Sequence, residues 1–141
     1  MRDAQPKLRV LILCTANSAR SQMAEGLLRH LAADRIEAFS AGSRVTSVNP
    51  FAIQAMDERG IDIRGQFSKH LNEFLQQPFD YVITVCDAAA ETCPIFPGRA
   101  TRLHWSFPDP AAVEGDAAKA EAFRSVREGL EARFKAWLET L

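Results

Sequence analysis

Apolar positions along this 141-residue chain follow two rhythms in turn. Leu8–Leu13 is almost continuously apolar, the pattern of a strand buried on both faces of a parallel sheet. Met23, Leu27, Leu28 and Leu31 then recur at helical spacing and predict a helix from about Ser21 to Ala32. Ile36–Ala41 reads as a second strand, closed by Gly42. Asn49-Pro50 opens a second helix with proline at its first position, and Gly60 stops it. Phe51, Ala52, Ala55 and Met56 give that helix its apolar face. A short helical stretch is expected around Leu71–Gln76, and strands over Tyr81–Val85 and Thr101–Trp105. From about Asp116 to Thr140, one helical face collects Phe123, Val126, Leu130, Phe134, Trp137 and Leu138. Gly129 interrupts it at a cost of ~1 kcal/mol relative to Ala. Strands alternating with helices imply a parallel sheet with helices on both sides. Ligands of such sheets bind beyond the carboxyl ends of the strands, where Cys14, Cys86 and the segment after Trp105 emerge.

Composition narrows the setting. The length suits a single domain, expected over residues 7–141 behind a flexible N-terminal tail of residues 1–6. Hydrophobic residues make up 47% and charged residues 25%, as in ordinary globular proteins. A net charge of -1 gives no reason to expect nucleic acid or an anionic membrane as partner. No apolar run reaches the roughly 18 residues of a membrane span. The polar start, Met1 to Pro6, lacks the apolar centre of a signal peptide, so the cytoplasm is the expected location. Three cysteines, Cys14, Cys86 and Cys93, are too few and odd in number for a secreted disulfide framework.

The chemistry concentrates in Cys14, Thr15, Ala16, Asn17, Ser18, Ala19, Arg20 and Ser21, the turn from the first strand into the first helix. Loop N–H groups and a helix N-terminus directed at one point stabilise an anion. Arg20 adds a planar fork of donors suited to two oxygens of a tetrahedral anion. The same positive field favours Cys14 as a thiolate nucleophile. A lone cysteine is more often a small buried hydrophobe. The strand before, the gap to Arg20 and the helix after argue here for the nucleophile. Asn17 suits a left-handed backbone and can hydrogen-bond the loop from within, or serve only as a turn residue. Ser21 has two readings, a donor to the Cys14 sulfur and a helix cap.

A departing oxygen needs a proton, and Asp109, flanked by Pro108 and Pro110, is the candidate general acid. Phe107 is expected to raise its pKa by excluding water. The alternative is a solvated turn aspartate. Cys86 and Cys93 lack zinc spacing, since structural sites favour two to four intervening residues and a second ligand pair. A transient disulfide and two unrelated buried thiols both remain open, the former needing the alanine-rich connector to change shape. His30, His70 and His104 form no ligand constellation, and no bound metal or cofactor is expected. Lys69, Arg44 and Arg64 are expected on solvated surface, with Arg44 able to rim an anion site.

Cys14–Ser21 followed by Gln22-Met23-Ala24-Glu25-Gly26 resembles the phosphate-binding loop of low-molecular-weight protein tyrosine phosphatases and of arsenate reductases built on that fold. Phe39-Ser40-Ala41-Gly42, Val85-Cys86-Asp87, Cys93-Pro94 and His104 through Pro110 resemble the reductases in particular. The resemblance implies a three-layer α/β fold, a four-stranded parallel sheet with helices on both faces. It further implies a relay: Cys14 attacks arsenate, Arg20 and the loop amides hold its oxygens, and Asp109 protonates the leaving hydroxide. Cys86 then attacks Cys14 and releases arsenite, Cys93 attacks Cys86, and thioredoxin, or glutaredoxin in its place, reduces the Cys86–Cys93 disulfide. A monomer is expected. Ala19 stands where many family members carry a further cysteine, and Ala16 where glycine is common, so an ordinary backbone is expected at Ala16. Ala111-Ala112 follow the Asp-Pro pair where the phosphatases have tyrosine, leaving no aromatic wall for a phosphotyrosine ring. A phosphatase and a non-catalytic oxyanion-binding or thiol-sensing domain are the competing readings.

Overall fold

A computed structural model describes residues 6–88 and 91–141. Most of the expected tail, residues 1–5, lies outside the described residues, while Pro6 and Lys7 are exposed. Four strands, β1 (Leu8–Cys14), β2 (Ile36–Gly42), β3 (Tyr81–Thr84) and β4 (Thr101–His104), form one parallel sheet in the order β2-β1-β3-β4. Central placement explains the unbroken apolar run of β1, whose Val10, Leu11, Ile12 and Leu13 are fully buried. Successive side chains leave opposite faces of the sheet. Val10 and Ile12 join a cluster with the three α-helices, α1 (Arg20–Ala32), α2 (Pro50–Glu58) and α3 (Asp116–Leu138). Leu11 and Leu13 join a smaller cluster with Phe74 and Phe96. The layers are therefore unequal: three α-helices cover one face, and a 3₁₀ helix, Leu71–Phe74, with loop aromatics covers the other. At the edge, β4 is short and exposes Thr101, Arg102 and His104, which discourages further strand pairing.

The helix ends follow their local chemistry. Asn49 caps α2 by accepting from the Phe51 N–H at 2.9 Å, with Pro50 as its first residue, and Gly60 leaves at φ +78°. The N-cap of α1 is Ala19, which offers no side-chain acceptor to the first-turn amides. Ser21 lies inside the helix and so is not its cap. The apolar face predicted for α1 is present, but burial goes further: every residue from Arg20 to Leu28 is buried. Strand order reverses direction between β1 and β3, and their carboxyl ends open at that switch point.

Candidate active site

Between the end of β1 and the start of α1 the chain curls into a loop whose carbonyls are engaged from outside. Thr15 O accepts from the Arg44 N–H at 3.1 Å, Ala16 O from Thr46 Oγ1 at 2.8 Å, and Ser18 O from the Asn49 N–H at 3.0 Å. Asn17 turns the loop with φ +47°, the left-handed conformation that asparagine tolerates. Ala16 keeps an ordinary backbone.

Asn17 is fully buried, and its side chain is the hub of a polar network behind the loop. Its Nδ2 donates to Ser21 Oγ at 2.8 Å and to Ser40 Oγ at 3.0 Å. Its Oδ1 accepts from Gln22 Nε2 at 3.0 Å and from the Lys69 N–H at 2.8 Å. Ser40 Oγ donates to Glu25 Oε1 at 2.6 Å, and Arg29 NH1 stands 3.1 Å from Glu25 Oε2. Buried polar groups satisfied in this way fix a loop rigidly. They also explain why Ser21, Gln22 and Glu25 are buried in a helix whose apolar face alone was expected inside. Of the two readings of Ser21, neither describes its observed bond, which it accepts from Asn17.

Lys69 is not on solvated surface as expected. Its side chain is 11% exposed, donates to Phe67 O at 2.7 Å and stands 3.7 Å from Glu25 Oε1. Burial lowers its pKa against the pull of Glu25. Sequence reasoning missed this because Lys69 reaches the loop from 52 positions away. The sequence marks Gly42 only as the end of a strand. A Cβ there would meet Thr15 O at 2.6 Å and both Cys14 O and the Asn17 nitrogen at 2.9 Å, so glycine is what lets the loop close over β2.

The loop borders a pocket of about 250 Å³, also lined by Arg44, Asp109 and Ala111. Cys14 is a free, buried thiol on its wall. Arg20 is 3% exposed and donates through NH1 to Phe107 O at 3.0 Å. Its Nε is buried without a hydrogen-bond partner among the described residues. Asp109 reaches the same pocket, but it is exposed, and its Oδ1 accepts from the Ala111 N–H at 3.0 Å. The expected shielding by Phe107 is therefore absent. Phe107 instead lies over Gly129 of α3, where a Cβ would come within 2.9 Å of its ring. Gly129 thus makes room for the segment that carries Asp109.

Cys86 and Cys93 are joined by a disulfide, with Cα atoms 6.0 Å apart. Residues 89 and 90 of the connector lie outside the described residues. The connector delivers a residue that sequence reasoning left unassigned, Glu91. Its carboxylate pairs with the Arg20 guanidinium through both oxygens, accepts from Thr15 Oγ1 at 2.8 Å and from the Asp87 N–H at 2.8 Å. Burial would raise its pKa, but the bonds from Arg20, Asp87 and Thr15 outweigh that and hold it at about 2. For Arg20, burial is likewise overcome, by the Glu91 bond and by the charges of Cys14, Glu91 and Asp109, and its pKa is raised. The only sequence signal is a pair of acids, Asp87 and Glu91, flanking the alanines between the two cysteines.

Among the described residues no three His, Cys, Asp or Glu side chains cluster to hold a metal, and no helix is long and apolar enough to cross a membrane.

The family model for low molecular weight phosphotyrosine protein phosphatases matches residues 9–141. The arsenate reductase of Halalkalibacterium halodurans is 45% identical over 132 residues, 93% of this chain and 95% of that protein. A solved arsenate reductase in its phosphate-binding state superposes with a TM-score of 0.81 at 33% identity, covering 94% of this chain and 98% of the other. A thioredoxin-dependent arsenate reductase of Corynebacterium glutamicum superposes with a TM-score of 0.69 at 30% identity, covering 99% of this chain and 66% of the other.

Proposed function

This chain belongs to the low-molecular-weight phosphotyrosine protein phosphatase family, and from that premise we propose that it reduces arsenate to arsenite through a relay of three cysteines. The observation that carries this reading is the Cys86–Cys93 disulfide, whose connector touches Arg20 of the anion loop through Glu91. A phosphatase needs neither cysteine. Among the described residues the pocket wall offers Ala111 and no aromatic side chain, which disfavours a phosphotyrosine ring.

The proposed steps follow from the placement of the side chains. Arsenate enters the pocket and presents oxygens to the uncapped N-terminus of α1 and to Arg20. One oxygen satisfies the buried Arg20 Nε–H, which otherwise costs about 1–3 kcal/mol as an unmade bond. The Cys14 thiolate attacks arsenic, and Asp109 donates a proton to the departing hydroxide, which leaves as water. The Cys86 thiolate then attacks Cys14 Sγ. The sulfur–arsenic bond breaks with its electron pair going to arsenic, so arsenic leaves as arsenite and the two sulfurs form a disulfide. Cys93 attacks Cys86 and expels Cys14 as a thiolate. Two electrons from an external dithiol finally restore Cys86 and Cys93 as thiols.

We assign thioredoxin as that dithiol. Cys93 is partly exposed beside an apolar groove that includes Val82, Pro94, Phe96 and Leu103, and Ile95 next to it is 84% exposed. Such a surface suits a small protein that must bring a thiolate to a disulfide. A disulfide that is made and reduced in each turnover belongs in a reducing compartment, the cytoplasm. Arsenate, thioredoxin, thioredoxin reductase and NADPH should give sustained, arsenate-dependent NADPH oxidation. Absence of that oxidation with thioredoxin and with glutaredoxin, alongside hydrolysis of an aryl phosphate, would return the protein to the phosphatases.

A further inference from the structure

We propose that Glu91 is an internal stand-in for the substrate's oxygens: while Cys86 and Cys93 are joined, its carboxylate occupies Arg20 on the wall of the anion pocket and competes with an entering oxyanion, and reduction of the disulfide releases it. The inference rests on the pocket being the oxyanion site assigned above.

The geometry is that of a bound anion. Two carboxylate oxygens take both terminal nitrogens of the Arg20 fork, and two further donors, Thr15 Oγ1 and the Asp87 N–H, complete the cradle at 2.8 Å each. Thr15 belongs to the loop itself, so Glu91 engages the same elements that would hold a tetrahedral oxyanion. Its side chain is 20% exposed and that of Arg20 4%, and both terminal nitrogens of the guanidinium are already engaged by its oxygens. A buried guanidinium also needs a counter-charge when the pocket holds no substrate.

The disulfide is what holds this stand-in in place. Glu91 lies two positions before Cys93, and the bond to Cys86 pins both ends of a short connector. A tethered group competes at an effective concentration in the millimolar range or above. The fit is incomplete, because Arg20 Nε keeps no partner among the described residues. Oxyanion binding that satisfies Nε as well should displace Glu91 once the tether is loosened. Reduction supplies that change: two electrons and two protons from a dithiol convert the disulfide to two thiols, and the connector is no longer pinned. The turnover becomes ordered, reductant before substrate. The oxidised enzyme then neither traps arsenate nor is held up by phosphate.

Titration with inorganic phosphate tests this, comparing reduced protein with the Cys86–Cys93 disulfide form. Oxidation of the wild type should weaken phosphate binding about tenfold or more. In Glu91→Ala the ratio between the two forms should fall to within about twofold, with Glu91→Gln between. A ratio near one in the wild type, or an undiminished ratio in both variants, overturns the role of Glu91. A second readout uses the wild type alone. Phosphate should protect Cys14 from alkylation by iodoacetamide, mapped by mass spectrometry, in the reduced form and not at the same concentration in the oxidised form. Equal protection in both forms overturns the inference while leaving the proposed function intact. A reduced protein that binds no phosphate overturns the anion-site assignment itself, and this inference with it.

Discussion

Replacing Gly42 by alanine adds one methyl group where the end of β2 meets the anion loop. The new Cβ would lie 2.6 Å from Thr15 O and 2.9 Å from both Cys14 O and the Asn17 nitrogen, all of them backbone atoms. To reach ordinary contact near 3.4 Å the loop must retreat by about 0.5–0.8 Å. Overpacking of this kind costs about 1–3 kcal/mol. A domain stabilised by about 5–15 kcal/mol survives that almost wholly folded. The catalytic cost is larger, because a misplacement near 1 Å can lose about a hundredfold in rate. Gly42→Ala should therefore lower kcat/KM for arsenate by about ten- to a hundredfold, with phosphate inhibition weakened in parallel, while urea unfolding shifts only modestly. Coupled NADPH oxidation and a urea titration measure the two effects. Unchanged kcat/KM in a folded Gly42→Ala protein would refute the view that close approach of β2 positions the loop.

Other substitutions probe the rest of the site. Asn17→Ala should destabilise the fold by about 3 kcal/mol or more in urea, since it combines a left-handed backbone cost of ~1–2 kcal/mol with unsatisfied buried donors. Asn17→Gly should recover only the backbone share, and full recovery would mean the network contributes nothing. Gly129→Ala gains about 1 kcal/mol of helix propensity but drives a Cβ to 2.9 Å from Phe107, so net destabilisation is expected in urea. A more stable variant would refute the packing argument. The Arg20, Asp87 and Thr15 bonds hold the pKa of Glu91 at about 2 in the folded oxidised form against an ordinary 4.5, which stabilises the folded state wherever the carboxylate is ionised. Because the folded pKa is the lower one, this stability is fully present above pH 4.5 and is lost as pH falls toward 2. The oxidised wild type should exceed Glu91→Gln in unfolding free energy at pH 7 and lose most of that margin at pH 3. A margin that does not depend on pH would contradict the ion pair.

The elements were legible because their signals are local. Continuous apolarity marked β1, helical spacing marked α1 and α3, and Asn49-Pro50 with Gly60 bracketed α2. Strands ended a residue early at Thr84 and His104, although Val85 and Trp105 still donate across the sheet to Leu13 and Thr84. The loop from Cys14 to Ser21 was also readable, since strand, nucleophile, arginine and helix are contiguous. Long-range contacts were not. Lys69 looks solvated in its polar stretch and is half-buried because it packs against the loop and Glu25. The shielding expected of Phe107 failed because Gly129, more than twenty positions away, offers its ring a better seat. Glu91 carried no pattern of its own and acquires its partner only when the connector folds back on the loop.

The relay is tested most directly by adding one equivalent of arsenate to the fully reduced protein without any reductant, then mapping its cysteines and measuring arsenite. About one arsenite per chain is expected, with Cys86 and Cys93 joined and Cys14 free, whereas a Cys93→Ser chain should stop with Cys14 joined to Cys86. Three free thiols and no arsenite would contradict it.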